Sequence, residues 1–299
     1  MRIPIPGGVG TTGGIGGVII AVLVFVLVSC LNNGGGGGGG GAGGGFGDVL
    51  SDALGGQLQS SRVSDAEDSG RYDRCETGED ANESLDCARV AIENSLTDFW
   101  EGQNLNGWEP IASLTTFTGA VSTQCGNADS SVGPFYCPAD TSIYYDTTFF
   151  DQVLEDQLGG PDGGFVEFYV LAHEYGHHIS NVIGTMSKVR SQETGPQSPG
   201  VRLELQADCF AGMWTRHADG TDDESGEPLL AEPVPESDIE LAIEAAEAVG
   251  DDRIQKKTQG QVTPETWTHG SAEQRRTWFM TGYEEGTLEA CDTFSADRV

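Results

Sequence analysis

The sequence predicts an α+β domain, mostly helical with a small sheet, set behind an N-terminal membrane segment. Three observations predict it: a series of stretches with helical apolar spacing, two β-rich stretches after the first of them, and an apolar run followed by a glycine tract. In chain order the apolar run comes first. It reads "GGVIIAVLVFVLVSCL" from Gly16 to Leu31. Counted from Gly13, it spans about 19 residues, just enough to cross a bilayer. Residues 1–31 are read as a membrane anchor or a signal segment. Because "LVSC" resembles a lipobox, a lipoprotein anchored at Cys30 is the alternative. Either reading leaves Arg2 inside and the rest of the chain extracytoplasmic, on a single-pass anchor.

Residues 32–70 are expected to be a Gly-rich and acidic flexible linker. The run "NNGGGGGGGGAGGGFG" has no side chains to bury and loses the most backbone entropy on ordering. The folded domain is expected over 71–299. Ala88 to Glu101 reads as a helix, with Val90, Ala91, Leu96 and Phe99 near helical spacing. Ser113 to Thr123 and Thr141 to Phe150 are β-rich. A short helix is expected at Phe150 to Gln157, and a long apolar one at Phe165 to Ile183, stopped by Gly184. Val201 to His217 is another. Ser237 to Val249 reads as an acidic amphipathic helix with Ser237 as N-cap. The last, Ser271 to Glu285, opens on a capping box of Ser271 and Gln274.

The formal net charge is −32, from 47 acidic and 15 basic residues. This argues against a nucleic-acid partner, since phosphate contacts need clustered Lys and Arg. It implies a soluble, self-repelling surface. Outside the cytoplasm cysteines pair by default. Chain order suggests Cys75–Cys87 and Cys125–Cys137, which leaves Cys209–Cys291. Without CxxC spacing, a cysteine zinc site is disfavoured.

The chemistry concentrates in "VLAHEYGHHIS", Val170 to Ser180. His173, Glu174 and His177 form H-E-x-x-H. On a helix both imidazoles project from one face, as two ligands of a Zn2+ ion, and Glu174 can serve as general base toward a water on the metal. A metzincin would carry its third ligand six residues after the second His, with a Gly between; Ile183 and Ser180 stand there instead. The other solution is a Glu on a following helix. "LELQADCFAG" supplies Glu204 as third ligand and, one turn on, Asp208 to accept the free N–H of a ligand histidine. His178 points about 100° away and reads as a structural histidine. His217, near its helix end, reads as capping or exposed.

"GPFYCPADTSIYYD", "VLAHEYGHHIS", "LELQADCFAG" and "THGSAEQRRTWFMTGYEEG", in this order, resemble the neutral zinc metallopeptidase family. The resemblance covers most of Ala88 to Cys291. It implies a zincin-like fold, Zn2+ as cofactor and a peptide or protein substrate. His269, in a shared block, is the first candidate donor to the oxyanion of the reaction. Tyr144 and Tyr145 are weaker candidates, better explained by strand packing. In zincins an edge strand over the cleft binds extended substrate, and "TSIYYD" is expected to be it. The alternative function is a catalytically inactive zincin-fold surface binding module, disfavoured by the intact Glu174. Zinc storage would need more His and Cys than this chain has. The long acidic insert Gly220 to Glu236 matches no recognised pattern.

Overall fold

The computed structural model describes residues 58–299 except 131, 151–153, 155–157, 161–163 and 219–235. The N-terminal segment, most of the linker, most of the short helix expected at 150–157 and the acidic insert lie outside the described residues. Among those described, no helix is long and apolar enough to cross a membrane.

The first strand, β1 (Val63–Asp65), falls inside the segment expected to be linker. It is held there by burial of Val63 and by Asp65, which accepts hydrogen bonds from Arg71 and Thr116. Just upstream, the Asn94 side-chain amide pairs with both backbone groups of Gln59. The ordered domain therefore begins before residue 71.

Helix α1 (Gly78–Glu83) carries a capping box of Thr77 and Asp80 that sequence reading did not flag. Helix α2 (Leu85–Gly102) matches the expected periodicity and buries Val90, Ile92, Leu96 and Trp100. Strand β2 (Leu114–Phe117) and the hairpin β3 (Ala120–Thr123) and β4 (Gly126–Asp129) follow, then β5 (Phe135–Cys137) and β6 (Ser142–Asp146). The main sheet has the order β1-β2-β6-β5, with β1, β2 and β6 parallel and β5 antiparallel to β6.

This corrects the expectation for "TSIYYD". β6 is an interior strand, paired on both sides, and the edge strands are β1 and β5. Residues on both faces of β6 are buried, including Ile143, Tyr145, Ser142 and Asp146, as in a parallel sheet covered on both sides.

The core lies between α2 and two long helices, α3 (Gly164–Val182) and α4 (Pro199–Ala218). Trp100 meets Phe210 edge to face and Trp214 stacks on Phe165. The Trp214 indole N–H donates to Ser95 Oγ at 3.1 Å. Arg89 of α2 and Glu167 of α3 form a buried ion pair across this layer. Helix α5 (Glu236–Ala248) starts one residue before its expected cap, so Ser237 sits in the first turn. Helix α6 (Asp251–Gln259) was not expected. Its apolar content is low: Ile254 is its single aliphatic residue, and it is buried.

Helix α7 (Ala272–Glu285) starts on the expected Ser271–Gln274 capping box. It crosses α4 at Gly212 and Gly282, where a Cβ on either would run into the other helix's backbone. All three expected disulfides, Cys75–Cys87, Cys125–Cys137 and Cys209–Cys291, are present.

Candidate metal centre

Helix α3 is apolar along most of its length, with Val166, Tyr169, Ala172, Tyr175 and Ile179 buried, and Gly184 follows its end at φ +80°. Several polar residues among them, His173, Glu174, His177 and His178, are buried too. His173 and His177 stand one turn apart, with ring centroids 4.8 Å apart. Between them lies Gly176. A Cβ there would sit 2.9 Å from both the Cα and the carbonyl oxygen of Ala207. The backbones of α3 and α4 touch at this point, and the contact brings Glu204 to the histidines. Glu204 Oε2 lies 3.3 Å from His173 Nε2 and 3.6 Å from His177 Nε2.

These three residues offer ligand atoms all within 4.8 Å of one another. A tetrahedral zinc with bonds of about 2.0–2.1 Å separates its ligands by about 3.4 Å, close to the two separations seen. The donor chemistry also fits. His173 Nδ1 lies 2.8 Å from Asp208 Oδ1, a carboxylate that can only accept, so Nδ1 carries the proton. In the neutral ring Nε2 then presents a lone pair to the Glu204 carboxylate. Two lone pairs at that distance repel unless a cation lies between them. Burial alone would lower the His173 pKa, but the charges of Asp208 and Glu204 win and raise it to about 9. The pocket favours positive charge where a metal would sit. Burial pushes the Glu204 carboxyl up, and its two histidine partners pull it well below the usual carboxylate range.

Asp208 is fully buried and does more than touch His173. Arg275 of α7 binds it through both oxygens, Nε to Oδ2 at 2.8 Å and Nη2 to Oδ1 at 2.7 Å. The Tyr169 hydroxyl donates to Oδ1 at 2.6 Å. Burial disfavours the Asp208 anion, but Arg275 and His173 overcome it and hold it ionised. Sequence reading missed Tyr169 and Arg275. Tyr169 could have been found, since it stands one turn before His173 on the same face. Arg275 carried no such signal, because its neighbour Arg276 is as good a candidate from sequence.

Glu174 is buried beside the histidines. Its Oε2 accepts a hydrogen bond from the main-chain N–H of Tyr136 at 2.9 Å. Burial raises its pKa, with Glu204 adding to the rise and the two histidines opposing it. His178 is a hydrogen-bonding histidine, as expected, between Tyr136 and the Glu109 carbonyl. His217 is exposed, with its ring 5.1 Å from that of Phe99.

His269 adds, as the smallest of the named causes, to the lowering of the Glu204 carboxyl. The loop that carries it is gathered by Asp251, whose Oδ2 accepts the N–H groups of Thr268, His269 and Gly270 at 2.7, 2.7 and 3.0 Å. His269 Nδ1 lies 3.7 Å from Asp251 Oδ1, within ion-pair reach but too long for a hydrogen bond. Tyr144 donates its hydroxyl to Asp140, and Tyr145 is fully buried under Arg89, so both are packing residues of the sheet.

The family described as "Putative neutral zinc metallopeptidase" matches the chain over residues 4–294. The uncharacterized protein Rv2575 of Mycobacterium tuberculosis H37Rv is 50% identical over 224 residues, 75% of this chain and 75% of its own length. The uncharacterized protein YpfJ of Escherichia coli K12 is 43% identical over 187 residues, 60% of this chain and 61% of its own. No solved structure matches the chain. A match over nearly the whole length, joined to a buried His–His–Glu cluster, means that this chain belongs to the neutral zinc metallopeptidase family.

Proposed function

We propose that this protein is a membrane-tethered, extracytoplasmic zinc-dependent peptidase. The observation that carries the reading is the convergence of His173, His177 and Glu204, with a further carboxylate outside that group, Glu174, buried beside them. A structural metal site has no use for such a base. Zinc, when bound, supplies a Lewis acid that acidifies water and polarises a carbonyl.

The chain's own residues do the rest. His173, His177 and Glu204 would hold the ion. Asp208 keeps His173 in the tautomer whose Nε2 can ligate. Glu174 takes the proton from the attacking water and passes it to the leaving amine nitrogen. His269, held by the Asp251 loop, donates to the oxygen on which negative charge develops. The apolar run before Leu31 tethers the domain through the Gly-rich linker, with lipidation at Cys30 as the alternative.

The test joins metal analysis of the purified protein to a broad peptide-cleavage screen, with Glu174→Gln as control. One zinc per chain and cleavage that Glu174→Gln abolishes while keeping zinc is the expected result. Zinc without cleavage of any peptide supports the inactive binding module instead. Recovery of the unprocessed full-length chain in the soluble fraction refutes the tether.

A further inference from the structure

A second stripe of α3 runs beside the one that faces the metal site. Glu174, His178 and Asn181 stand at i, i+4 and i+7, so they share one face. All three meet one residue of the edge strand β5, Tyr136. Its main-chain N–H donates to Glu174 Oε2 at 2.9 Å. Its hydroxyl lies 3.1 Å from His178 Nδ1 and accepts from Asn181 Nδ2 at 3.0 Å.

The directions of these bonds follow from the far end. His178 Nε2 lies 2.8 Å from the Glu109 carbonyl oxygen, which can only accept. Nε2 therefore carries the proton, and in the neutral ring Nδ1 is an acceptor. The Tyr136 hydroxyl must donate to Nδ1, which leaves its oxygen to receive the Asn181 amide. Strand β5 has three residues and pairs with β6 on one side alone, so the ladder holds it weakly. The Cys125–Cys137 bridge ties down the residue after Tyr136. The phenol ties Tyr136 itself to the helix that carries Glu174.

We propose that Tyr136 is the positioning residue of the general base. Its phenol, clamped by His178 and Asn181, sets where its N–H meets Glu174, and so assigns Oε1 as the oxygen that accepts the proton. The inference rests on the peptidase reading above.

The test uses the full chain with zinc bound. Tyr136→Phe keeps the ring and loses the clamp. Zinc stoichiometry and KM should stay at the parent values, while kcat falls about 10–100-fold, the scale of a small misplacement of a catalytic group. A second readout needs no activity. In 15N-tyrosine-labelled protein the Tyr136 amide proton should resonate downfield and move upfield in Glu174→Gln. In Tyr136→Phe, followed through 15N-phenylalanine labelling, the amide proton at the substituted position should shift from the parent value. If Tyr136→Phe fails to fold, Asn181→Ala, which removes one arm of the clamp, should show the same kcat loss in weaker form and a Tyr136 amide proton shifted from the parent value. Parent-like kcat in the folded variant, or a Tyr136 amide indifferent to Glu174→Gln, overturns the proposal. A parent that cleaves nothing removes the peptidase reading, while the amide signal still judges the clamp.

Discussion

Gly176→Ala adds one methyl group where the two ligand-bearing helices touch. The new Cβ would lie 2.9 Å from Ala207 Cα and carbonyl oxygen and 3.3 Å from its carbonyl carbon. Carbon atoms pack at about 3.5–4.0 Å, so α3 and α4 must part by roughly 0.5–1 Å. The obstacle is helix backbone, which cannot swing aside as a side chain can. Overpacking of this kind costs about 1–3 kcal/mol. Helix propensity acts in the opposite sense and favours Ala over Gly by about 1 kcal/mol. The net loss of stability is about 0–2 kcal/mol.

The larger effect falls on the ligands. Glu204 rides on α4 and the histidines on α3, with separations of 3.3 and 3.6 Å. A shift of that size exceeds the roughly 0.5 Å tolerance of a preorganised site. Zinc affinity should fall about tenfold or more, the scale seen when ligand geometry is disturbed. The assay is zinc titration against a competing chelator, paired with urea denaturation. Gly102→Ala is the control, since its Cβ would meet nothing within 4 Å. If Gly176→Ala binds zinc as tightly as the parent and is no less stable, the helix contact does not set the ligand spacing.

Arg275→Met leaves the buried Asp208 carboxylate without its cation, and urea unfolding should show a loss of about 3–5 kcal/mol. Replacing Cys209 and Cys291 together by Ala opens a closure 82 residues apart in sequence and should cost about 2–5 kcal/mol, while mass mapping of the native protein should find all six of these domain cysteines bridged. Burial raises the Asp65 carboxyl, but bonds from Thr116, Arg71 and two backbone N–H groups lower it to about 2. Its folded pKa lies below the unfolded value of about 3.9, so its stabilisation is full above that pH and fades as pH falls toward 2. Asp65→Asn should therefore be less stable than the parent at pH 6, and urea midpoints of the two should converge in acid.

Some of this site is written within single segments. The helical period alone puts His173 and His177 on one face, and Glu204 and Asp208 on another, because backbone geometry is the same in every helix. The Ser271–Gln274 cap is local in the same sense, and two of the three disulfides join residues 12 apart. Tertiary structure decided the rest. It put β6 inside the sheet and left β5 at the edge, since strand order depends on which surfaces exclude water together. It brought Arg275 to Asp208 across 67 residues and the Tyr136 amide to Glu174 across 38. It gathered the His269 loop on Asp251, a residue with no motif around it. Each of these contacts depends on how closely separate elements approach, as at Gly176, Gly212 and Gly282, and no spacing within one segment encodes that distance.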